Sequence, residues 1–318
     1  MREAQGGLPQ RDAYEPVQGA TLADVASHVK LPDPTQSPNI LLAVAPCRSG
    51  TTTQLRVFAQ AGMQAHYQPL KAVLRSLMHG EQREYEIPAA SNLFIKETIG
   101  PYTQTESEFN PVEVLLLAGY PKDKLHVLVE MREPLSTLAS WYEMFSFNRD
   151  RETLFQNFMT AYRTVGQTRT RAIDQGVPVT TYVYEAQRDN EPAKAVSRLF
   201  ADLGLPYSDS VVRGWENLPS FGTVESGIYF PPEPEIYSAR SFHDTASTAT
   251  ELGYFPKSSA SLDREVPEAQ ARTLRQSDIP AIYDQMKKAA ERQLHLRIRR
   301  SQEMQDYTRR HRRTGSSQ

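Results

Sequence analysis

Apolar runs and stretches of helical spacing follow one another along most of this chain. Residues 40–45, ILLAVA, are apolar and partly β-branched, as in a central parallel strand buried on both faces. The run breaks into PCRSGTT, and from Thr53 onward Leu55, Phe58, Ala59 and Gly62 recur at helical spacing. Residues 126–131, HVLVEM, predict a second strand, and 134–144 a helix with Pro134 in its first turn. Residues 92–100, NLFIKETIG, read as a strand whose end exposes Lys96, Glu97 and Thr98. The stretch 152–174 reads as helical, as does most of 267–300, with Ile279-Pro280 as a break. Residues 211–250 read as irregular, because Pro231, Pro232 and Pro234 interrupt any long helix. Residues 1–38, with Gly-Gly, several prolines and one apolar pattern over 22–29, read as a partly flexible arm offering a contact to a neighbour.

The junction after the first strand carries the first candidate chemistry. Ser49 to Thr52 lie where a helix begins, and free backbone N–H groups with the positive dipole end attract an anion there. Gly50 allows close backbone approach, Ser49, Thr51 and Thr52 supply hydroxyls, and Arg48 supplies a fixed charge with a planar donor fork. Taken alone, RSGTT also admits a plainer reading, a hydroxyl-rich helix cap. It does not fit the nucleotide-triphosphatase loop GxxxxGK[ST], which needs glycine where Ala45 stands and lysine where Thr51 stands. In the second motif, Arg132 ends a strand and Ser140 sits about 9 Å along the next helix from Pro134. The pair either converges on a second anion or leaves Arg132 in a salt bridge at the helix start.

Together these stretches resemble the sulfotransferase family in the variety with a PRSGTT-like first loop. The resemblance covers roughly residues 38–210 and implies 3′-phosphoadenosine 5′-phosphosulfate as donor. It places the 5′-phosphosulfate on Arg48, Ser49, Gly50, Thr51, Thr52 and Thr53, and the 3′-phosphate on Arg132 and Ser140, which have the family's spacing of eight. Residues 181–206 resemble the family's late strand ending in Tyr-Glu, then a helix and a Leu-Gly-x-Pro exit. Tyr184 is then expected near the adenine and Glu185 in a structural role. Residues 255–266, FPKSSASLDREV, resemble a lid closing on the donor. Cys47 stands where relatives have proline, and Thr53 where many have an aromatic residue or leucine. The strand with Lys96 resembles the one that brings a lysine toward the sulfuryl group, but Thr98 occupies the position of the histidine base. His66 and Glu97 are the alternative bases, with His243 behind them.

The implied fold is α/β, a three-layer P-loop-like arrangement of a central parallel sheet of about four or five strands flanked by helices, with the donor at the strands' carboxyl ends. The implied activity is sulfuryl transfer to a hydroxyl, less readily an amine, of a small molecule without a metal. A nucleotide-dependent kinase and a non-catalytic nucleotide-binding protein are the alternatives. Aromatic residues in the variable stretch, Tyr229, Phe230, Tyr237 and Phe242, admit an apolar or aromatic acceptor.

Composition narrows the setting. The 318 residues, 39% hydrophobic with net charge −2, suit one domain over 39–300 with terminal extensions. The mean hydropathy of −0.55 describes a surface-rich protein. No apolar run approaches the roughly 20 residues of a membrane span, and the first residues lack a signal-peptide core, so a cytoplasmic location is expected. The single cysteine, Cys47, excludes an intramolecular disulfide framework and a multi-cysteine metal site. Eight arginines crowd residues 292–313, and the tail 301–318 reads as solvated rather than as a nucleic-acid or membrane contact. The arm makes a homo-oligomer one expectation.

Overall fold

The structure is a computed structural model, and it describes residues 14–215, 218–219, 226–238 and 266–299. The strands are β1 (Val29–Lys30), β2 (Asn39–Pro46), β3 (Gln64–Tyr67), β4 (Tyr85–Glu86), β5 (Asn92–Ile99), β6 (Leu125–Met131), β7 (Val179–Val183) and β8 (Ile228–Tyr229). The helices are α1 (Leu22–Ser27), α2 (Thr51–Gln60), α3 (Pro69–Met78), α4 (Gln104–Ser107), α5 (Pro111–Leu117), α6 (Pro134–Phe145), α7 (Arg151–Asp174), α8 (Glu185–Asp189), α9 (Pro192–Asp202), α10 (Glu235–Ser238), α11 (Glu268–Gln276) and α12 (Ile279–Leu294).

Six strands form one parallel sheet in the order β7-β6-β2-β5-β3-β8, and β1 pairs with β4 apart from it. The expected α/β fold with a central parallel sheet between helices is therefore present, with six strands rather than four or five. The two additions, β3 and β8, are four and two residues long and sit at one edge, too short to leave a periodic signal. Six of β2's eight residues are apolar and all but Asn39 are buried, as a strand covered on both faces requires.

Side-chain alternation and parallel register divide the sheet into two faces. Phe94 of β5 stacks on Phe58 of α2 at 4.3 Å, and Thr180 of β7 donates to Asp202 of α9, so α2 and α9 cover one face. Arg169 of α7 donates to Thr181, the next residue of β7, so α7 covers the other. Register carries the assignment across the sheet: Tyr67 pairs with Lys96 and Lys96 with Ala43, while His66 pairs with Ile95 on the opposite face.

The chain leaves β2 through α2 toward β3 and leaves β6 through α6 and α7 toward β7. Adjacent strands whose exits diverge open a crevice at their carboxyl ends, where ligands of open α/β sheets bind. Arg48 follows β2 and Arg132 follows β6, on either side of it.

Residues 14–38 pack on their own domain. Tyr14 is buried, stacked on Tyr102 at 4.2 Å, and Val17 N donates to Met78 O. Thr21 and Asp24 close a capping box on α1. His243, Phe242, the stretch 255–265 and the tail from residue 300 lie outside the described residues. Among those described, no helix is long and apolar enough to cross a membrane.

Candidate functional site

The loop between β2 and α2 turns twice through left-handed backbone, at Arg48 (φ 69°) and Gly50 (φ 93°). A β-carbon on Gly50 would stand 2.7 Å from the Tyr184 ring, so glycine is required by conformation and by space. Arg48 lacks that freedom: a non-glycine residue held left-handed costs on the order of 1–2 kcal/mol, which the surrounding contacts must offset. Those contacts are visible. Trp141 of α6 donates from Nε1 to Cys47 O at 2.7 Å, and Cys47 N donates to Ile99 O. Thr53 Oγ1 donates to Gly50 O at 2.7 Å, closing the first turn of α2.

Two arginines meet at this loop. Arg48 Nε donates to Ser140 Oγ at 3.1 Å, and Arg132 Nη1 reaches Arg48 O at 3.5 Å. The Arg132 guanidinium also lies 4.7 Å from the Tyr184 ring centroid. Arg48, Gly50, Arg132, Ser140 and Tyr184 are thus brought into one cluster, with the loop arginine reaching into the Arg132–Ser140 pair instead of standing apart from it. The salt bridge weighed for Arg132 does not form with any described residue, nor does one for Arg48. Burial, and then the neighbouring Arg132 charge, hold Arg48 below its usual pKa. Arg132 is buried, and its Nε and Nη2 have no hydrogen-bond partner; Ser49 Oγ in the adjoining loop is in the same state. Buried donors without acceptors cost about 1–3 kcal/mol each, so such an arrangement calls for an acceptor from outside the fold. Thr51 is buried at the helix start, with Thr52 next to it and partly exposed.

A buried frame fixes the second half of the cluster. Glu185 accepts from the backbone N of Glu133 at 2.9 Å and from Tyr283 of α12 at 2.7 Å, tying the start of α6 to the end of β7. Tyr184 N donates to Met131 O at 2.8 Å. Glu185 is structural, and Tyr184 gains a fixed ring against the loop.

Lys96 lies on the α2 face, 2% exposed, with its ammonium 4.0 Å from the centroid of Tyr67. Burial lowers its pKa to about 7. Lys96, Glu97 and Thr98 are not an exposed strand end: β5 continues to Ile99, and all three are buried within it. Thr98 donates to Gln68 Oε1 and receives a Cys47 Sγ contact at 3.2 Å.

His66 lies in β3, and with Glu97 it is on the face turned away from α2 and Lys96. His66 Nδ1 is 2.8 Å from Tyr85 OH, and burial pushes the imidazole down to about 4. Glu97 accepts from Leu70 N at 2.8 Å, at the start of α3, and burial raises its carboxyl to about 8. Neither is brought to the arginine cluster. Three residues given no role by the sequence reading bear on the site more directly. Tyr67 contacts Lys96, and Gln68, left-handed at φ 48°, meets Thr98. Glu130, two residues before Arg132 in β6, is 2% exposed with Oε1 unpartnered, and burial raises it to about 8. A glutamate inside the apolar run HVLVEM was the signal available for it.

No family model matches the chain, and no curated protein does. Among solved structures, the chain is similar to the sulfotransferase domain from the curacin biosynthetic pathway, with TM-score 0.41 and 12% identity over 75% of this chain and 98% of that one. A likeness that distant decides nothing about function, which has to be read from the geometry of the loop and its arginines.

Proposed function

We propose that the protein transfers a sulfuryl group from 3′-phosphoadenosine 5′-phosphosulfate to a hydroxyl, or less readily an amine, of a small-molecule acceptor. The observation that carries this reading is Arg132: two buried, unpartnered donors on one guanidinium, beside a second arginine, at a helix start and without a carboxylate. Two like charges held together at a helix N-terminus favour a dianionic ligand. The forked donors of Arg132 suit a phosphate, and Ser140 offers a hydroxyl to the same group. The Tyr184 ring against Gly50 supports a place for the adenine beside the loop.

In this reading the amides of residues 49–51 and Arg48 stabilise the phosphate oxygen that departs, and Lys96 holds the sulfuryl oxygens as charge shifts off them. The acceptor hydroxyl gives its proton to a base during in-line attack on sulfur. We assign that base to neither His66 nor Glu97, because both lie across the sheet from Lys96. The cations of the chain supply the positive charge, so no metal is required.

The reading is tested by titrating metal-free protein with adenosine 3′,5′-bisphosphate, adenosine 5′-phosphate and ATP. Strong preference for the bisphosphate is expected. Preference for ATP with magnesium would instead favour the kinase, a reading weakened by Thr51 in place of the phosphate-loop lysine. Donor binding without turnover on any acceptor would favour a non-catalytic binding protein.

A further inference from the structure

The buried cations near the donor loop are held in different ways. Lys71 donates to Thr98 O at 3.0 Å and to Gly100 O, with Glu106 at 3.8 Å. Arg75 pairs with Glu106 at 2.8 Å and with Glu233 at 2.7 Å. Lys96 is as deeply placed, yet among the described residues no carboxylate and no hydrogen-bond acceptor reaches its ammonium. Against it stands the ring of Tyr67.

Register creates that contact. Tyr67 and Lys96 are paired across parallel β3 and β5, so their side chains rise together on the α2 face. An aromatic ring attracts a cation through its quadrupole, but it neither cancels the charge nor occupies an N–H. A carboxylate in the same place would do both. The ring is itself braced: Phe230 stacks on it at 4.8 Å and 23°, and the stretch after Phe230 is anchored through Glu233 to Arg75. Tyr67 also lies within the field of the donor loop. Its hydroxyl pKa is raised, first by burial and then by Glu233 and Cys47, against the opposing charges of Arg75 and Arg48.

We propose that Tyr67 is the positioning residue for Lys96, presenting its ammonium with charge and N–H donors unspent to the sulfuryl end of the donor. The inference rests on the donor reading above. Besides the ring, the groups whose charge reaches Lys96 are Cys47, Lys71, Glu97 and Glu130, and burial outweighs them all. The ring favours the charged form without competing for its donors. Tyr67 touches neither donor nor acceptor in this scheme and acts through Lys96.

The test compares wild type with Tyr67→Phe, Tyr67→Leu and Lys96→Met, each titrated with 3′-phosphoadenosine 5′-phosphosulfate and with adenosine 3′,5′-bisphosphate between pH 6 and 8.5. Loss of a cation–π contact predicts that Tyr67→Leu weakens the phosphosulfate by about 2- to 30-fold, with a smaller loss for the bisphosphate. Tyr67→Phe, which keeps the ring, retains wild-type affinity. In Tyr67→Leu the pH at which phosphosulfate affinity falls moves lower, and in Lys96→Met that pH dependence disappears. Equal losses for the two nucleotides would make Tyr67 merely structural and overturn the proposal. So would a Tyr67→Phe variant as impaired as Tyr67→Leu, since the hydroxyl would then be the active part. If wild type binds neither nucleotide, the donor reading falls, and inorganic sulfate replaces both ligands in the same series. Weaker sulfate binding in Tyr67→Leu but not Tyr67→Phe then sustains the positioning role, and equal binding in all three removes it.

Discussion

Replacing Arg132 by alanine separates a ligand-binding arginine from a structural one, because only the structural role predicts a clear loss of stability. The side chain is buried, and Nε and Nη2, adjacent on one edge of the guanidinium, have no acceptor. Two charge-assisted bonds to a phosphate, each worth about 1.5–3 kcal/mol and not fully additive, predict a loss of about 2–4 kcal/mol in binding. That corresponds to roughly 30- to 1,000-fold weaker affinity for adenosine 3′,5′-bisphosphate. Folding stability responds differently. The variant gives up the Tyr184 stacking and one long bond to Arg48 O, but it also removes two orphaned donors. These terms are each about 1–2 kcal/mol and nearly cancel, so thermal stability without ligand stays within about 1 kcal/mol of wild type or rises. Isothermal titration with the bisphosphate and with adenosine 5′-phosphate, beside thermal unfolding without ligand, reads both quantities. A clear drop in melting temperature with equal losses for the two nucleotides would refute the argument, since Arg132 would then be holding the fold rather than a 3′-phosphate.

Gly50→Ala places a β-carbon 2.7 Å from the Tyr184 ring at φ 93° and is expected to cost about 2–4 kcal/mol, read as a lower unfolding midpoint in denaturant together with lost bisphosphate binding. Glu185→Gln keeps the shape but weakens the charged acceptor of Glu133 N and Tyr283 OH, so a loss of about 1–3 kcal/mol in stability is expected by chemical denaturation. His66 makes stability pH-dependent: its folded pKa of about 4 lies below the 6.5 of the unfolded chain, so between these values only the unfolded state takes up the proton. Its contribution therefore falls as pH drops from 6.5 toward 4, by about 3 kcal/mol at most, and levels off below. The stability difference between wild type and His66→Gln should change by this amount across that window, and taking the difference cancels the carboxylate contributions common to both. If the arginines and Lys96 carry the charge stabilisation, a chelator leaves turnover unchanged, whereas the kinase reading predicts its loss.

Much of the arginine cluster and its loop was legible because it is local. A strand, a left-handed turn and a helix start are encoded within residues 40–53, and the Arg132–Ser140 spacing within one strand and helix. The α/β class followed from apolar runs alternating with helical spacing, as β2, β5, β6 and α7 bear out. Short edge strands carry no such signal, and β3 with β8 escaped notice for that reason. What only the tertiary structure decided is which side chains share a face. Because strand side chains alternate with a period of two, one step along β5 separates Lys96 from Glu97, and one step along β3 separates Tyr67 from His66. Sequence proximity made His66 and Glu97 look available to the loop, while register turned them away and brought Tyr67 to Lys96. The same holds for Arg48 reaching Ser140 across 92 residues, and for the unpartnered donors of Arg132. Residue types and local turns are written in the chain, but whether a buried polar group finds a partner is set by what the fold places around it.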